Sequence, residues 1–300
     1  MKPLFSVLVA NYNNGTYLQE AIDSVLAQTY DNWEVVLVDD KSTDESLAIY
    51  GKYATDKRFK IYHNDANRGC GYTKRRCAEL AAGELCGFLD PDDALIPEAL
   101  ETMVEAHAEH PECSLIYSTC YRYPGGSKEG LETWDFIGPI PEGYDFIVWR
   151  KTLVSHFVSF KRAAYLKSVG IDPTLKAAVD RDLYYNLEEQ GKLLHIPVPL
   201  YYYRTNNAAS ISIGSARAKN TAYYSCIKSE LNAICRRIGT PLYRRNEDLY
   251  RKYMRKILRV YYKSPLFDRK DFLRFGWNYA KALHFSPHAF SHLYKITKGR

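Results

Sequence analysis

The fold is decided by "LFSVLVANYNNGTYLQEAIDSVLAQTYDNWEVVLVDD", residues 4–40. Residues 4–10 are a continuous apolar run, the pattern of a strand buried on both faces in a parallel sheet. Leu18, Ile22, Val25 and Leu26 then recur at a helical period. "WEVVLVDD" is a second apolar strand, and it ends on Asp39 and Asp40. Strand, helix and strand continue to alternate. "STDESLAIYGKYA" reads as a helix with Ser42 or Thr43 as N-cap and an acidic first turn. "FKIYH" is a strand, and "GYTKRRCAELAAG" is a helix closed by Gly83. "ELCGFLD" is a fourth strand, and "IPEALETMVEAHAEH" is a helix with Pro97 in its first turn. This alternation predicts an α/β fold with a mostly parallel central sheet and helices on both faces.

Ligands bind such sheets outside the carboxyl ends of the strands. Asn11, Asp39, Asp40, Asn64, Asp90, Asp92 and Asp93 all fall at those ends. Within "GELCGFLDPDDALIPEAL" (83–100), three carboxylates occupy four positions directly after a core strand. Each raises its neighbours' pKa, and a cation relieves the repulsion. A D-x-D pair can offer oxygens to Mg²⁺ or Mn²⁺, which are typically held by one or two carboxylates together with substrate phosphates. Surface turns also carry D-x-D by chance, so the spacing alone is a weak signal.

The second half is less regular. Residues 124–150 are rich in Gly, Pro and aromatics and read as a loop or short hairpin over the site. "HFVSFKRAAYLKSVG" reads as a strand and a short helix ended by Gly170. "DRDLYYNLEEQGK" is a helix with an acidic start and Gly191 at its end, and "LLHIPVPLYYYR" is a strand. From residue 215 the pattern is helical to the end. Residues 249–263 form a basic amphipathic helix, with Tyr250, Tyr253, Met254, Ile257, Leu258 and Tyr261 on one face.

At 46% hydrophobic over 300 residues, the chain can build a full core. It has no apolar stretch of transmembrane length, and its start lacks a signal-peptide core, so a cytoplasmic location is expected. Seven cysteines without a CxxC read as reduced thiols. Charge is uneven. Residues 244–300 hold 15 Lys/Arg against four Asp/Glu, a net of +11 in a chain of net +6. The tail therefore suits an anionic partner, or it is a solvated basic face. His288 and His292 read as surface residues. A nucleic-acid role would explain the tail but not the acidic strand ends, and it is not expected.

Three segments carry a resemblance. They are "SVLVANYNNGTYLQEAIDSVLAQTYDNWEVVLVDDKSTDES", "NDANRGCGYTKRRCAELAAGELCGFLDPDDALIPEAL" and "VDRDLYYNLEEQGKLLHIPVPLYYYR", within residues 5 to about 212. In order and spacing they resemble family 2 glycosyltransferases, the inverting, metal-dependent enzymes of the GT-A fold. The resemblance implies a nucleoside-diphosphate sugar donor, with a UDP-sugar expected, and a saccharide or lipid-linked acceptor, in bacterial polysaccharide synthesis. It implies that Ala10 and Asn11 meet the base through their backbone, and that Asp40 accepts from a base N–H. Asp92 would ligate Mn²⁺ or Mg²⁺ with Asp90, which also faces ribose or sugar. Asp93 either joins them or only bonds within the turn. Lys74 would face the diphosphate side, although "KRR" departs from the usual "ARN" and a solvated helix face is the other reading. Asp180 would be the general base.

Two further departures are Val179 where the family often has Glu, and Asn206 where a His often follows the "YR" strand. They leave open a catalytically inactive sugar-nucleotide-binding module. A sugar-phosphate nucleotidyltransferase is the other rival, but it should carry a Gly-rich phosphate loop after the first strand. The expected organisation is a catalytic domain 1–212, with a donor half 1–110 and an acceptor half 111–212, and a basic helical extension 213–300. The extension would touch the inner face of the membrane, pack on the body, or join two copies as a homodimer.

Overall fold

The computed structural model describes residues 2–207 and 216–297. The boundary expected at 212/213 lies outside the described residues. The first half runs β1 (Phe5–Asn11), α1 (Gly15–Leu26), β2 (Trp33–Asp39), α2 (Ser46–Gly51), β3 (Phe59–His63), α3 (Cys70–Leu80), β4 (Leu85–Phe88), β5 (Ala94–Leu95) and α4 (Ala99–Glu109). Next come β6 (Cys113–Tyr123), β7 (Val158–Lys161), α5 (Arg162–Lys167), α6 (Val179–Glu188) and β8 (Lys192–Arg204). The extension is α7 (Ala216–Arg237), α8 (Pro241–Arg245), α9 (Glu247–Tyr262), α10 (Arg269–Ala282) and α11 (Pro287–Thr297).

One eight-stranded sheet has the order β3-β2-β1-β4-β7-β6-β8-β5. β3, β2, β1 and β4 pair in parallel, as the alternating pattern predicts. Every residue of β2 is buried, which is why its apolar run shows no alternation. The antiparallel ladders lie in the second half, where β7 pairs with β4 and β6 and β5 pairs with β8. β7 is reached from β6 through the long segment 124–157 rather than a crossover helix, so it is free to run the other way. β2 lies on one side of β1 and β4 on the other. The chain reverses its order of travel there and opens a crevice at the carboxyl ends.

Several local expectations shift. α2 begins at Ser46, not after Ser42 or Thr43. Asp44 takes over the capping role. Its carboxylate accepts from Ser46 N (3.1 Å) and also from Gly15 N (2.7 Å) at the start of α1. Pro97 lies just outside α4. α3 ends at Leu80 with Ala81 extended, and Gly83 does not close it. Gly83 is small for a different reason: a Cβ there would lie 2.6 Å from Ser6 Oγ and 2.7 Å from the Leu4 carbonyl. Segment 124–150 turns back on β6 through a Tyr121–Thr133 bridge and makes a second isolated bridge, Ile137–Leu153, without forming a regular strand.

The extension shares the core of the body. Ile227, Leu231 and Ile234 of α7, and Tyr250, Met254, Ile257, Leu258 and Tyr261 of α9, belong to one apolar cluster with the sheet. Burying a side chain of this kind contributes roughly 1.5–3 kcal/mol. The apolar face of 249–263 is therefore used inside the protein, which excludes it as the membrane-contacting face. His292 is half-buried and pairs with Tyr279 Oη at 3.1 Å, so it is not a free surface residue; the side chain of His288 lies outside the described residues.

Candidate active site

The crevice holds a cavity of about 390 Å³. Ala10, Asn11, Asp40, Lys74, Asp90, Asp92 and Asp180 all line it, as does Asp93. The side chain of Asn11 turns away from it. Its amide donates to Tyr50 Oη (2.6 Å), Ser46 Oγ (3.0 Å) and Ser42 Oγ (3.3 Å), tying β1 to α2. The Asn11 side chain is therefore not turned to a ligand in the cavity.

Asp40 is buried directly after β2. Its Oδ1 accepts from Asn64 Nδ2 (2.7 Å) and Arg68 N (2.8 Å), and its Oδ2 from Gly69 N (2.8 Å). It thus shapes the loop that leads into α3, and Oδ2 keeps room for one more donor. Asp39 is committed elsewhere, to Tyr50 Oη (2.8 Å) and Ser42 N (3.1 Å), and does not line the cavity.

The acidic turn is held from both ends. The two-residue strand β5, which carries no sequence periodicity, follows Asp93 immediately and pairs with β8. Tyr201 Oη accepts from Asp90 N (3.1 Å). Asp93 Oδ1 accepts from Arg204 N (2.7 Å), and Arg204 Nε donates to the Asp92 carbonyl (2.7 Å). The end of the "YR" strand therefore fixes the geometry of the three carboxylates.

Lys74 is the centre of the site. It lies on the buried stripe of α3, only 5% exposed, and its Nζ sits 2.9 Å from Asp90 Oδ1 and 2.7 Å from Asp180 Oδ1. The solvated-face reading of Lys74 is wrong, because α3 packs on β1 and β2 and turns this residue inward. Arg75 and Arg76 diverge from it, Arg75 to Glu79 and the Ile171 carbonyl, Arg76 to the His63 carbonyl. One amine thus links the first acid of D-x-D to the acid in the first turn of α6. Burial works against the charge on Lys74, but Asp180 and Asp90 outweigh it and hold its pKa well above the usual value. For Asp90, burial pushes the carboxyl up, and the charges of Lys74 and His156 bring it below its ordinary range.

Asp92 and Asp93 behave oppositely. Burial, then the charge of Asp90, raises the Asp92 carboxyl; burial, then Asp92 and Asp90, raises Asp93 further. Arg204, the cation at this turn, is tied to the Asp92 carbonyl and to Glu20, and a divalent cation at Asp92 and Asp90 would fit the remaining excess of negative charge. Among the described residues no group of three His, Cys, Asp or Glu forms a closed metal cage. The fit is to an ion that completes its shell with substrate oxygens.

Three neighbours were missed by sequence reasoning. Asn207 donates to Asp92 Oδ2 (2.7 Å). His156 Nε2 lies 3.7 Å from Asp90 Oδ2 and stacks on Tyr201 at 5.0 Å. Lys176 lines the cavity and donates to the Arg68 carbonyl (3.0 Å). Each comes from a segment far from its partner in sequence, and only the extra polar residue in "YRTNN" offered a signal. Segment 124–150 contributes nothing to the cavity wall; from the following residues His156 approaches the site behind it, against Asp90. Ala178, which precedes α6, sits at φ 57°, a left-handed conformation costly for a residue with a Cβ.

Comparison with known proteins gives a consistent picture. The model of the family described as "Glycosyl transferase family 2" matches residues 6–169. Chondroitin synthase of Escherichia coli is 28% identical over 239 residues, covering 77% of this chain and 33% of that protein. Hyaluronan synthase of Pasteurella multocida is 27% identical over 84% of this chain and 25% of its own length. The chain thus spans a third or less of these relatives. A putative colanic acid biosynthesis glycosyl transferase, WcaA of Escherichia coli, is 27% identical over 74% of this chain and 79% of its own. Among solved structures, S. aureus TarS 1–349 in complex with UDP-GlcNAc superposes with a TM-score of 0.67 at 18% identity, covering 94% of this chain and 81% of that one. The mannosyltransferase PcManGT from Pyrobaculum calidifontis, in complex with GDP-Man and Mn²⁺, superposes with a TM-score of 0.55 at 16% identity, over 99% and 80%.

Proposed function

Because the chain belongs to glycosyl transferase family 2, with the GT-A fold and added C-terminal helices, we propose that it transfers a sugar from a nucleoside-diphosphate sugar, a UDP-sugar, to a saccharide or lipid-linked acceptor with inversion, in polysaccharide synthesis. The observation that carries this reading is the cavity in which Asp90 faces Asp180 across Lys74, with Asp92 in the same lining. The named relatives that make chondroitin and hyaluronan, and the TarS complex with UDP-GlcNAc, support the donor class.

The roles follow from position. Asp40 and the backbone at Ala10 and Asn11 receive the base. Lys74 reaches the diphosphate side. Asp92 and Asp90 would hold Mn²⁺ or Mg²⁺, which when bound supplies charge neutralisation for the leaving diphosphate. Asp180 takes the proton of the acceptor hydroxyl as its oxygen attacks the anomeric carbon. One attack without a covalent intermediate inverts that centre. Residues 1–110 form the donor half, 111–212 the acceptor half, and 213–300 the extension. No described helix is long and apolar enough to cross a membrane; the reading places the protein in the cytoplasm with a peripheral contact at the inner membrane face, and a homodimer is compatible with it.

The test is a screen of UDP-sugars with Mn²⁺, read as thermal shift and as release of UDP with candidate acceptors. Asp92→Asn should abolish the Mn²⁺-dependent part of donor binding and most turnover. Donor affinity in Mn²⁺ that is unchanged in that variant sinks the metal assignment. Donor binding without UDP release from any acceptor favours the inactive-module reading.

A further inference from the structure

With the apolar face of α9 buried, the extension presents a different surface. On the outer side of α10, Leu273 and Trp277 lie one turn apart and are 62% and 63% exposed. Phe285, in the turn before α11, packs on Trp277 with ring centroids 5.0 Å apart. Phe290 and Tyr294 lie one turn apart on α11 and are also exposed. α11 is seated on α10 next to Trp277, where Leu293 lies 3.4 Å from the Cβ position of Gly276. Lys270, two turns before Trp277, and Lys281, one turn after it, are exposed, as is Lys295 beside Tyr294. The outer face of the adjacent α9 carries exposed Lys252, Lys256, Arg259 and Lys263. Large exposed apolar surface is unusual on a soluble domain unless something binds it.

We propose that this aromatic–lysine face of α10 and α11 is a docking surface for an anionic lipid bilayer. It rests on the transferase reading only for its purpose, which is to hold the cavity near a lipid-linked acceptor. Charge selects the occupant. Residues 244–300 carry a net charge of +11, which an anionic leaflet complements. A second copy of the chain does not complement it, because a two-fold contact through this face would set Lys270, Lys281 and Lys295 against their own equivalents. Trp and Phe suit the boundary between headgroups and acyl chains, and lysines around them extend to the phosphates.

The experiment uses the full chain with vesicles of equal phosphatidylglycerol and phosphatidylcholine, and with pure phosphatidylcholine. Co-sedimentation is expected with the first and not the second, weakened by salt. Trp277→Ser with Phe285→Ser, and separately Lys270→Glu with Lys281→Glu, should each reduce binding by about tenfold or more. Vesicle binding should blue-shift the tryptophan emission of the parent chain, and Trp277→Phe should lose that shift while staying folded. The proposal is overturned if the full chain ignores anionic vesicles, or if the aromatic pair can be removed without loss of binding. It is also overturned if Trp277→Ser/Phe285→Ser sediments as a smaller species than the parent, since the face would then join two copies. Vesicle binding that persists while no donor yields UDP would refute the transferase reading and leave the docking surface standing.

Discussion

Helix α6 carries a cluster of buried charge at each end, and the two are built differently. At its start Asp180 shares Lys74 with Asp90, beside the cavity. At its end Arg237 of α7, 1% exposed, meets Asp145 (3.3 Å), Glu188 (2.9 Å), Glu189 (3.4 Å), Tyr250 Oη (3.0 Å) and the Tyr185 carbonyl (2.9 Å). The guanidinium donates to Glu189, Asp145, Tyr250 and the Tyr185 carbonyl, and its charge faces Glu188 as well. Both placements suit the helix dipole, with an acid at the amino end and a cation at the carboxyl end. The difference is closure. The Arg237 cluster is sealed from solvent. The Lys74 cluster has one amine for two carboxylates, opens on a cavity, and adjoins Asp92 and Asp93, whose carboxyls are raised by burial and by the charge of their neighbouring carboxylates. Sealed charge holds the fold together, and open charge is available to a ligand.

The comparison can be broken at several points. Asp180→Asn should lower turnover by about 10²–10⁴ while donor affinity stays near that of the parent. Initial rates and donor titration read the two separately, and equal losses in both would make Asp180 a donor or structural residue. Arg237→Ala should cost roughly 3–5 kcal/mol in denaturant unfolding, because Asp145 and Glu188 would be left buried and uncompensated. Lys74→Met should cost less stability, about 1–2 kcal/mol, since its partners reach water through the cavity, yet it should remove most turnover. An unfolding loss as large as that of Arg237→Ala would erase the distinction between the clusters.

The smallest effect is in pH. The folded Asp93 carboxyl keeps its proton at pH values where the unfolded group, near 3.8, has lost it. Falling pH therefore favours the folded state between the raised value and 3.8, and the gain is complete below 3.8. Asp93→Asn should be at least as stable as the parent at pH 7, and its advantage should vanish as pH nears 3.8. A stability difference that does not vary with pH would show that Asp93 carries no such penalty.

The parallel half was legible because β1 and β2 are buried on both faces and α1 keeps a clean helical period. The carboxylates were legible because they follow an apolar run directly. Lys74 was harder. Its burial was written in its spacing from Gly71 and Cys77, which share its stripe on α3, but two neighbouring arginines hid that stripe. β5 could not be read, since two residues hold no period, and its pairing depends on β8, more than a hundred positions away. Lys176 and His156 were invisible for the same reason, and Asn207 showed only as an extra polar residue after the strand: their roles come from where the sheet brings them. In the extension, the basic and apolar faces of α9 were read correctly from periodicity. What the apolar face meets is a tertiary fact, and it proved to be the core of the protein.

The Arg237 cluster also has a consequence for the order in which the protein becomes competent during synthesis. β1 to β4 pair largely among themselves, so the donor half can assemble as soon as it leaves the ribosome. α6 emerges next, with Glu188 and Glu189 still waiting for a cation that lies in α7, and with Asp145 waiting for both Arg237 and Tyr250. A nascent chain therefore acquires β1 to β4 before it can fix either the acidic turn, which waits for β8, or the helix that carries Asp180.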